Sequence, residues 1–79
     1  MRINIGQKGI GGNNESWYYL EFNEHEGRFY HVHEWHNMNH SLSVDEGEER
    51  TPLEQAKEKR FYAEAIGVIK QRMFPSRAN

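Results

Sequence analysis

The sequence predicts a small α+β domain of 79 residues. We expect an antiparallel sheet of two to four strands, with a central hairpin over 16–36, and one long helix over about 52–74 packed across one sheet face. Two runs rich in aromatic and β-branched residues flank a turn and predict the hairpin. Apolar residues at helical spacing in the last third predict the helix. Ten aromatic residues indicate a folded chain, although Leu, Ile, Val and Phe number only 15 and the core is therefore thin.

The N-terminal segment predicts a short strand followed by a loop. Ile3 and Ile5 lie on one side of an extended "RINI" segment. The glycines and asparagines of 6–14 then predict a Gly/Asn-rich loop. This loop is not a phosphate-binding loop, because it lacks the Gly-Lys-Ser/Thr ending and no helical pattern follows it.

The hairpin turn lies in "NEHEGR", with Gly27 as the natural left-handed residue. A three-residue loop pairs Leu20 with Val32, whereas a four-residue loop sets Leu20 against His31. We prefer the three-residue loop because it places apolar residues opposite one another.

That register assigns each residue of the hairpin to one of two sheet faces. The face covered by the helix is expected to carry Leu20, Phe22, Tyr30 and Val32. The opposite face is expected to carry Trp17, Tyr19, Glu21, His31, His33 and Trp35. A single helix covers one face only, so these aromatic residues are expected to be exposed unless a second molecule or the N-terminal strand covers them.

The rest of the chain predicts a third strand, an acidic turn and the helix. Leu42 and Val44 share one side of the short strand. Thr51 is expected to cap the helix, with Pro52 at its first position and Glu54 completing a capping box. The apolar helix face is predicted to comprise Phe61, Tyr62, Ala65, Ile66, Val68, Ile69 and Met73.

Two further features concern the end of the chain. Pro75 is expected to stop the helix, and 75–79 to form a flexible tail. Gly67 falls on the polar side of the helix, where glycine costs stability, and close approach of another chain is the one reason we find for it. The whole of 1–79 is predicted to be a single domain.

Four of the five histidines lie in "FYHVHEWHNMNH", which suggests a metal site, a protonation switch or an ordinary strand. His31, His33 and Glu21 are the candidate metal set, and Glu21 opposite His31 is the candidate switch. We favour polar residues on a solvated strand face, with no metal and no cofactor. The serines lack a nucleophile elbow and the clustered acids do not flank a buried pocket, so we expect that the protein is not an enzyme.

Charge and aromatic residues single out a candidate binding surface. Residues 1–50 carry nine acids and four bases, whereas 51–79 carry six bases and three acids. Acidic side chains are expected to steer a partner and aromatic ones to anchor it. The predicted partner-binding residues are Trp17, Tyr19, His31, His33, Trp35, Asp45, Glu46, Glu48 and Glu49.

Small size, no cysteine, no catalytic set, a sheet-plus-helix build and clustered acid resemble the small phage-encoded anti-CRISPR proteins. The resemblance covers size and build across the whole chain and rests on no motif, so it transfers no functional residue. It implies a non-enzymatic inhibitor that docks on a basic surface of a bacterial defence complex and blocks nucleic-acid binding.

Two other classes compete with this interpretation. A nucleic-acid-binding module would use the sheet aromatics and the helix Lys and Arg residues, but the negative net charge opposes it. A homodimeric structural accessory domain would bury the aromatic face against a second copy. We expect a cytoplasmic protein, because no segment has the length and apolarity of a signal peptide or a membrane span.

Overall fold

The protein folds as a four-stranded antiparallel sheet with one helix. The computed structural model describes residues 1–38 and 43–73. The strands follow one another in the sheet in the order in which they occur along the chain. They are β1 (Arg2–Lys8), β2 (Asn14–Asn23), β3 (Arg28–Met38) and β4 (Val44–Pro52), and the helix α1 is Tyr62–Met73. The α+β class is therefore confirmed, while the predictions for Leu42, Pro75 and the tail lie outside the described residues.

The predicted register of the hairpin is wrong by one residue. A four-residue turn, 24–27, joins β2 to β3, and Gly27 adopts the left-handed conformation with φ 64°. The Gly27 amide donates a hydrogen bond of 2.8 Å to the Asn23 carbonyl, which closes this turn. Leu20 consequently pairs with His31 and not with Val32. Local turn geometry outweighed the matching of apolar partners.

The one-residue shift exchanges the faces of the whole of β3. Side chains alternate along a strand, so Phe29, His31, His33 and Trp35 lie on the face that carries Leu20. We call this the helix side. The opposite surface, the open face, carries Trp17, Tyr19 and Glu21 of β2 together with Tyr30, Val32, Glu34 and His36 of β3. The predicted helix-covered set is thus split, because Tyr30 and Val32 belong to the open face.

The helix is shorter than predicted, and its expected cap is part of the sheet. Thr51 and Pro52 pair with His31 and Tyr30 at the end of β4, and the acidic segment predicted as a turn is the body of this strand. Leu53–Gln55 then forms a single 3-10 turn. Segment 53–61 carries the chain across the helix side, and Leu53 and Ala56 are buried on the way. Strand pairing and this crossing override the helical propensity of the segment.

The core lies between α1, the crossing segment and the helix side of the sheet. Its buried members are Ile5, Tyr18, Leu20, Leu53, Ala56 and Ala65. Partly buried residues pack against them, namely Phe29, Phe61, Tyr62, Ile66, Val68 and Ile69. The predicted apolar helix face is therefore confirmed for every member whose side chain the structure describes.

A close contact joins the start of α1 to β1. Phe61 has φ 66°, a conformation that is strained for a residue with a side chain. Its ring lies over Gly6, where an added Cβ would come within 2.5 Å of the ring. Gly6 follows an irregularity in the pairing of β1 with β2. Because Gly6 has no side chain, the Phe61 ring can lie directly against the backbone there.

The N-terminal loop is also shorter than predicted. Gly6 to Lys8 belong to β1, and Asn14 already belongs to β2, so the connection is 9–13. In the described part of the chain, no helix has the length and apolarity needed to cross a membrane.

Candidate functional site

The structure divides the five aromatic and histidine anchors predicted for one face. Trp17 and Tyr19 lie on the open face, whereas His31, His33 and Trp35 lie on the helix side. The division follows from the one-residue register shift. These five residues do not form one surface.

His31 and His33 have structural roles on the helix side. His31 is 1% exposed, and its Nε2–H donates a 2.7 Å hydrogen bond to the Arg60 carbonyl, which holds the crossing segment on the sheet. The His33 ring stacks on Tyr18 with centroids 4.5 Å apart, and its Nε2 lies 3.0 Å from Ser16 Oγ. Burial lowers the pKa of His33 below the ordinary histidine value.

Trp35 packs on the neighbouring strand. Its partner on β4 is Gly47, where an added Cβ would come within 2.7 Å of Trp35 Cζ2. The indole also lies 5.3 Å from the His33 ring, between centroids. The glycine therefore leaves the space that the indole occupies, and Trp35 packs against β4.

The candidate metal set does not come together. Glu21 lies on the open face, and the two histidines lie on the helix side. Over residues 1–38 and 43–73, no group of three or more potential ligands is placed to hold a metal ion. The proposed pairing of Glu21 with His31 as a protonation switch fails for the same reason.

Two arginines and one glutamate cross the open face. Arg2 of β1 and Arg50 of β4 bind the two carboxylate oxygens of Glu21 at 2.7 and 2.5 Å. Hydrogen bonds from Arg2, and then from Arg50, hold the pKa of Glu21 below its ordinary value against the opposing effect of burial. Both guanidinium groups also lie over tyrosine rings, Arg2 over Tyr19 at 5.2 Å and Arg50 over Tyr30 at 4.4 Å.

This network shields an apolar residue on the open face. Val32 is flanked by Tyr19 on β2 and Arg50 on β4, and it is fully buried. The stems of long charged side chains cover apolar surface while their heads remain in water. The half of the open face beside the hairpin turn is therefore closed by the chain's own side chains.

The other half of the open face is a groove. Its volume is about 560 Å³. Six side chains of the open face line it, namely Glu15, Trp17, Glu34, His36, Glu46 and Glu48. Trp35 and Gly47, which lie between these positions along β3 and β4, complete the lining. We call this surface the acidic groove.

The acidic groove is rich in carboxylates and poor in bases. Glu34 is directly opposite Glu48, and His36 is directly opposite Glu46, with Nδ1 and Oε2 3.0 Å apart. Arg2 Nη1 reaches Glu48 at 3.2 Å and Glu34 at 3.8 Å. One guanidinium, already shared with Glu21, thus stands at the border of four carboxylates. The groove suits a positively charged group.

The four predicted steering acids are also divided. Glu46 and Glu48 line the acidic groove, whereas Glu49 faces the helix side, opposite His33. Lys59 Nζ lies 2.9 Å from Glu49 and is the main cause of its lowered pKa. Asp45 is exposed near the start of β4, opposite Asn37.

Of the six side chains that line the groove, three were not predicted as site residues: those of Glu15, Glu34 and His36. The signal for them was present in the four-residue loop alternative. That register sets Glu34 beside Trp17 on the face that the helix leaves open. Pairing with β4, which the sequence did not predict over this segment, adds Glu46 and Glu48.

Comparison of the chain with protein-family models, with curated proteins and with solved structures found no match.

Proposed function

We propose that the protein is a non-enzymatic protein-binding module that docks on a basic surface of its partner through the acidic groove. The observation that carries the proposal is the arrangement of four carboxylates around Trp17 in an open concavity. Tryptophan is enriched among residues that dominate binding energy, and charge complementarity speeds association.

The groove is costly to the fold, which supports a role in binding. Like charges directly opposite on neighbouring strands destabilise a sheet, and Glu34 faces Glu48 in this way. Arg2 compensates them in part, at 3.8 and 3.2 Å, because it also binds Glu21. Functional surfaces commonly depart from the arrangement that is best for stability. A cationic partner group would relieve the repulsion.

The class of partner follows from the resemblance to anti-CRISPR proteins. A basic surface that binds nucleic acid offers the positive charge that the acidic groove lacks. We therefore propose an inhibitor that occupies the nucleic-acid groove of a bacterial defence complex in the cytoplasm. Homodimerisation stays a prediction, and light scattering over a wide concentration range measures it.

The test is a tagged pulldown from bacterial lysate, followed by competition with nucleic acid. We expect the wild-type chain to capture a nucleic-acid-binding protein and to release it when DNA or RNA is added. Trp17→Ala and Glu34→Gln/Glu48→Gln should each lose the capture. Glu24→Gln/Glu58→Gln is the matched control, because it removes two exposed acids that lie outside the groove.

Two results would contradict the proposal. One is capture that survives both groove variants. The other is tight binding of nucleic acid by the chain itself in a mobility-shift assay at low salt, unaffected by the groove variants, which would favour the nucleic-acid-binding module.

A further inference from the structure

The open face already contains two bound guanidinium groups, those of Arg2 and Arg50, and Arg2 is the one that lies beside the acidic groove. Arg2 Nη2 lies 2.7 Å and Nε 3.2 Å from the same oxygen of Glu21, and Nη1 lies 3.2 Å from Glu48. The guanidinium carbon of Arg2, Cζ, lies over the Tyr19 ring at 5.2 Å from the ring centroid. An aromatic ring with carboxylates on two sides is thus a combination that holds an arginine on this sheet.

The same combination recurs two residues along β2. Trp17 takes the place of Tyr19, and its neighbour across the sheet is Glu34. Glu15, Glu46 and Glu48 supply further carboxylates around it. Among residues 1–38 and 43–73, no Arg or Lys lies over the Trp17 ring, and Arg2 is the one Arg or Lys that pairs with a groove carboxylate.

We infer that the acidic groove binds the guanidinium of an arginine side chain supplied by the partner, which stacks on Trp17 between the groove carboxylates as Arg2 does on Tyr19. The inference rests on the proposed function and specifies the chemistry that the partner presents. It commits to arginine and not to basic residues in general.

The reason for the preference is the shape of the cation. A guanidinium is planar, stacks on aromatic faces and donates paired hydrogen bonds to carboxylates. Tryptophan gives the strongest cation–π attraction of the aromatic side chains. A lysine ammonium is a compact and strongly hydrated point charge, so it gains from the carboxylates but less from the ring.

The test compares two synthetic peptides of equal charge. One carries four arginines separated by Gly-Ser spacers, and the other carries four lysines in the same positions. Affinity is measured by titration calorimetry at 0.15 M salt, and the Trp17 indole N–H is followed by NMR. We expect the arginine peptide to bind about fivefold to tenfold more tightly, which is the scale of one partly desolvated cation–π contact.

Three variants locate the effect. Trp17→Leu should reduce the affinity for the arginine peptide to that for the lysine peptide. Glu34→Gln/Glu46→Gln should weaken both peptides and keep the preference for arginine. Tyr30→Leu is the control, because it removes a ring from the same face outside the groove and should change neither the preference nor the Trp17 shift.

The failures of the two proposals are distinguishable. Equal affinities for the two peptides, both lost in Glu34→Gln/Glu46→Gln, would overturn the arginine inference and leave docking on a basic surface standing. A preference for arginine that survives Trp17→Leu would also overturn it. Binding of neither peptide would overturn the inference, and loss of groove-dependent capture in the pulldown would then overturn the proposed function as well.

Discussion

The two faces of one sheet differ in what holds them together. The helix side is closed by apolar packing, with Leu20 at 1% exposure beneath the crossing segment and α1. The open face is closed over Val32 by arginines and tyrosines, and beyond Trp17 the described residues, 1–38 and 43–73, leave an open groove. Stability therefore resides mainly in the helix side, and the open face is free to present charge.

The largest expected effect tests where stability resides. Leu20→Ala should lower the free energy of unfolding by about 2–5 kcal/mol, because it leaves a cavity in the core. Val32→Ala should cost about 1–2 kcal/mol, since mobile charged side chains can settle over the smaller residue. Urea unfolding followed by circular dichroism measures both. Val44→Ala, at 47% exposure, is the control and should stay within about 0.5 kcal/mol of wild type. Equal costs at Leu20 and Val32 would show that the two faces contribute equally to stability.

The next effect concerns the contact of Phe61 with β1. Gly6→Ala should destabilise by about 1–3 kcal/mol, because the new Cβ overlaps the ring. Gly67→Ala is the matched substitution on α1, where nothing lies within 4 Å of an added Cβ. It should stabilise by about 0.5–1 kcal/mol through helix propensity. Thermal unfolding of the Gly6→Ala and Gly67→Ala chains measures both effects. If Gly67→Ala loses partner capture in the pulldown, another chain approaches the helix at Gly67.

A smaller fall in the free energy of unfolding is expected on acidification, and it arises from His33 on the helix side. Burial lowers the pKa of His33 in the folded state, so the unfolded chain takes up a proton first as the pH falls. Stability is therefore full above the ordinary pKa of 6.5 and declines as the pH falls below it. His33→Gln should flatten the dependence of unfolding free energy on pH between 7 and 5. His25→Gln, in the exposed turn, is the control.

An unchanged pH profile in His33→Gln would assign the acid sensitivity to other groups. The charged and titratable groups that act on His33 are Glu49, which favours its protonation, and His31 and Lys59, which oppose it. Glu21, which binds Arg2 and Arg50, acts at lower pH, because its pKa is held below its ordinary value of 4.5.

The smallest effect on stability tests the open face directly. Glu34→Gln removes one of two opposed carboxylates and should stabilise the fold by a few tenths of a kcal/mol. The same change should weaken the binding of a basic partner and flatten its salt dependence. Unfolding and binding are measured in parallel, to check that stability rises while affinity for the partner falls. A Glu34→Gln chain that is less stable than wild type and binds the partner with unchanged affinity would show that the groove is a structural feature.

The class of the fold and the buried side of α1 were predictable from the sequence, but only part of the sheet's core and of the site was, since Tyr18, Leu53 and Ala56 were not expected in the core. Alternation of aromatic residues predicted the two central strands, and helical spacing predicted the buried side of α1, because these periods depend on local geometry. Trp17 and Tyr19 were correctly expected on the exposed sheet surface, whereas Glu46 and Glu48 were predicted in a turn and lie on β4. Trp35, His31 and His33 were assigned to the wrong face, since a single residue in a turn inverts a strand.

The aromatic strands and the amphipathic helix are readable from the sequence, and they suffice to specify a thin-cored α+β domain with an acidic first part. Only tertiary contacts fixed the recruitment of the acidic segment as β4 and the late start of α1 at Tyr62. The physical reason is that each of these choices depends on partners distant in the chain. Pairing of Thr51 with His31 and burial of Leu53 outweigh a local capping signal worth about 1 kcal/mol.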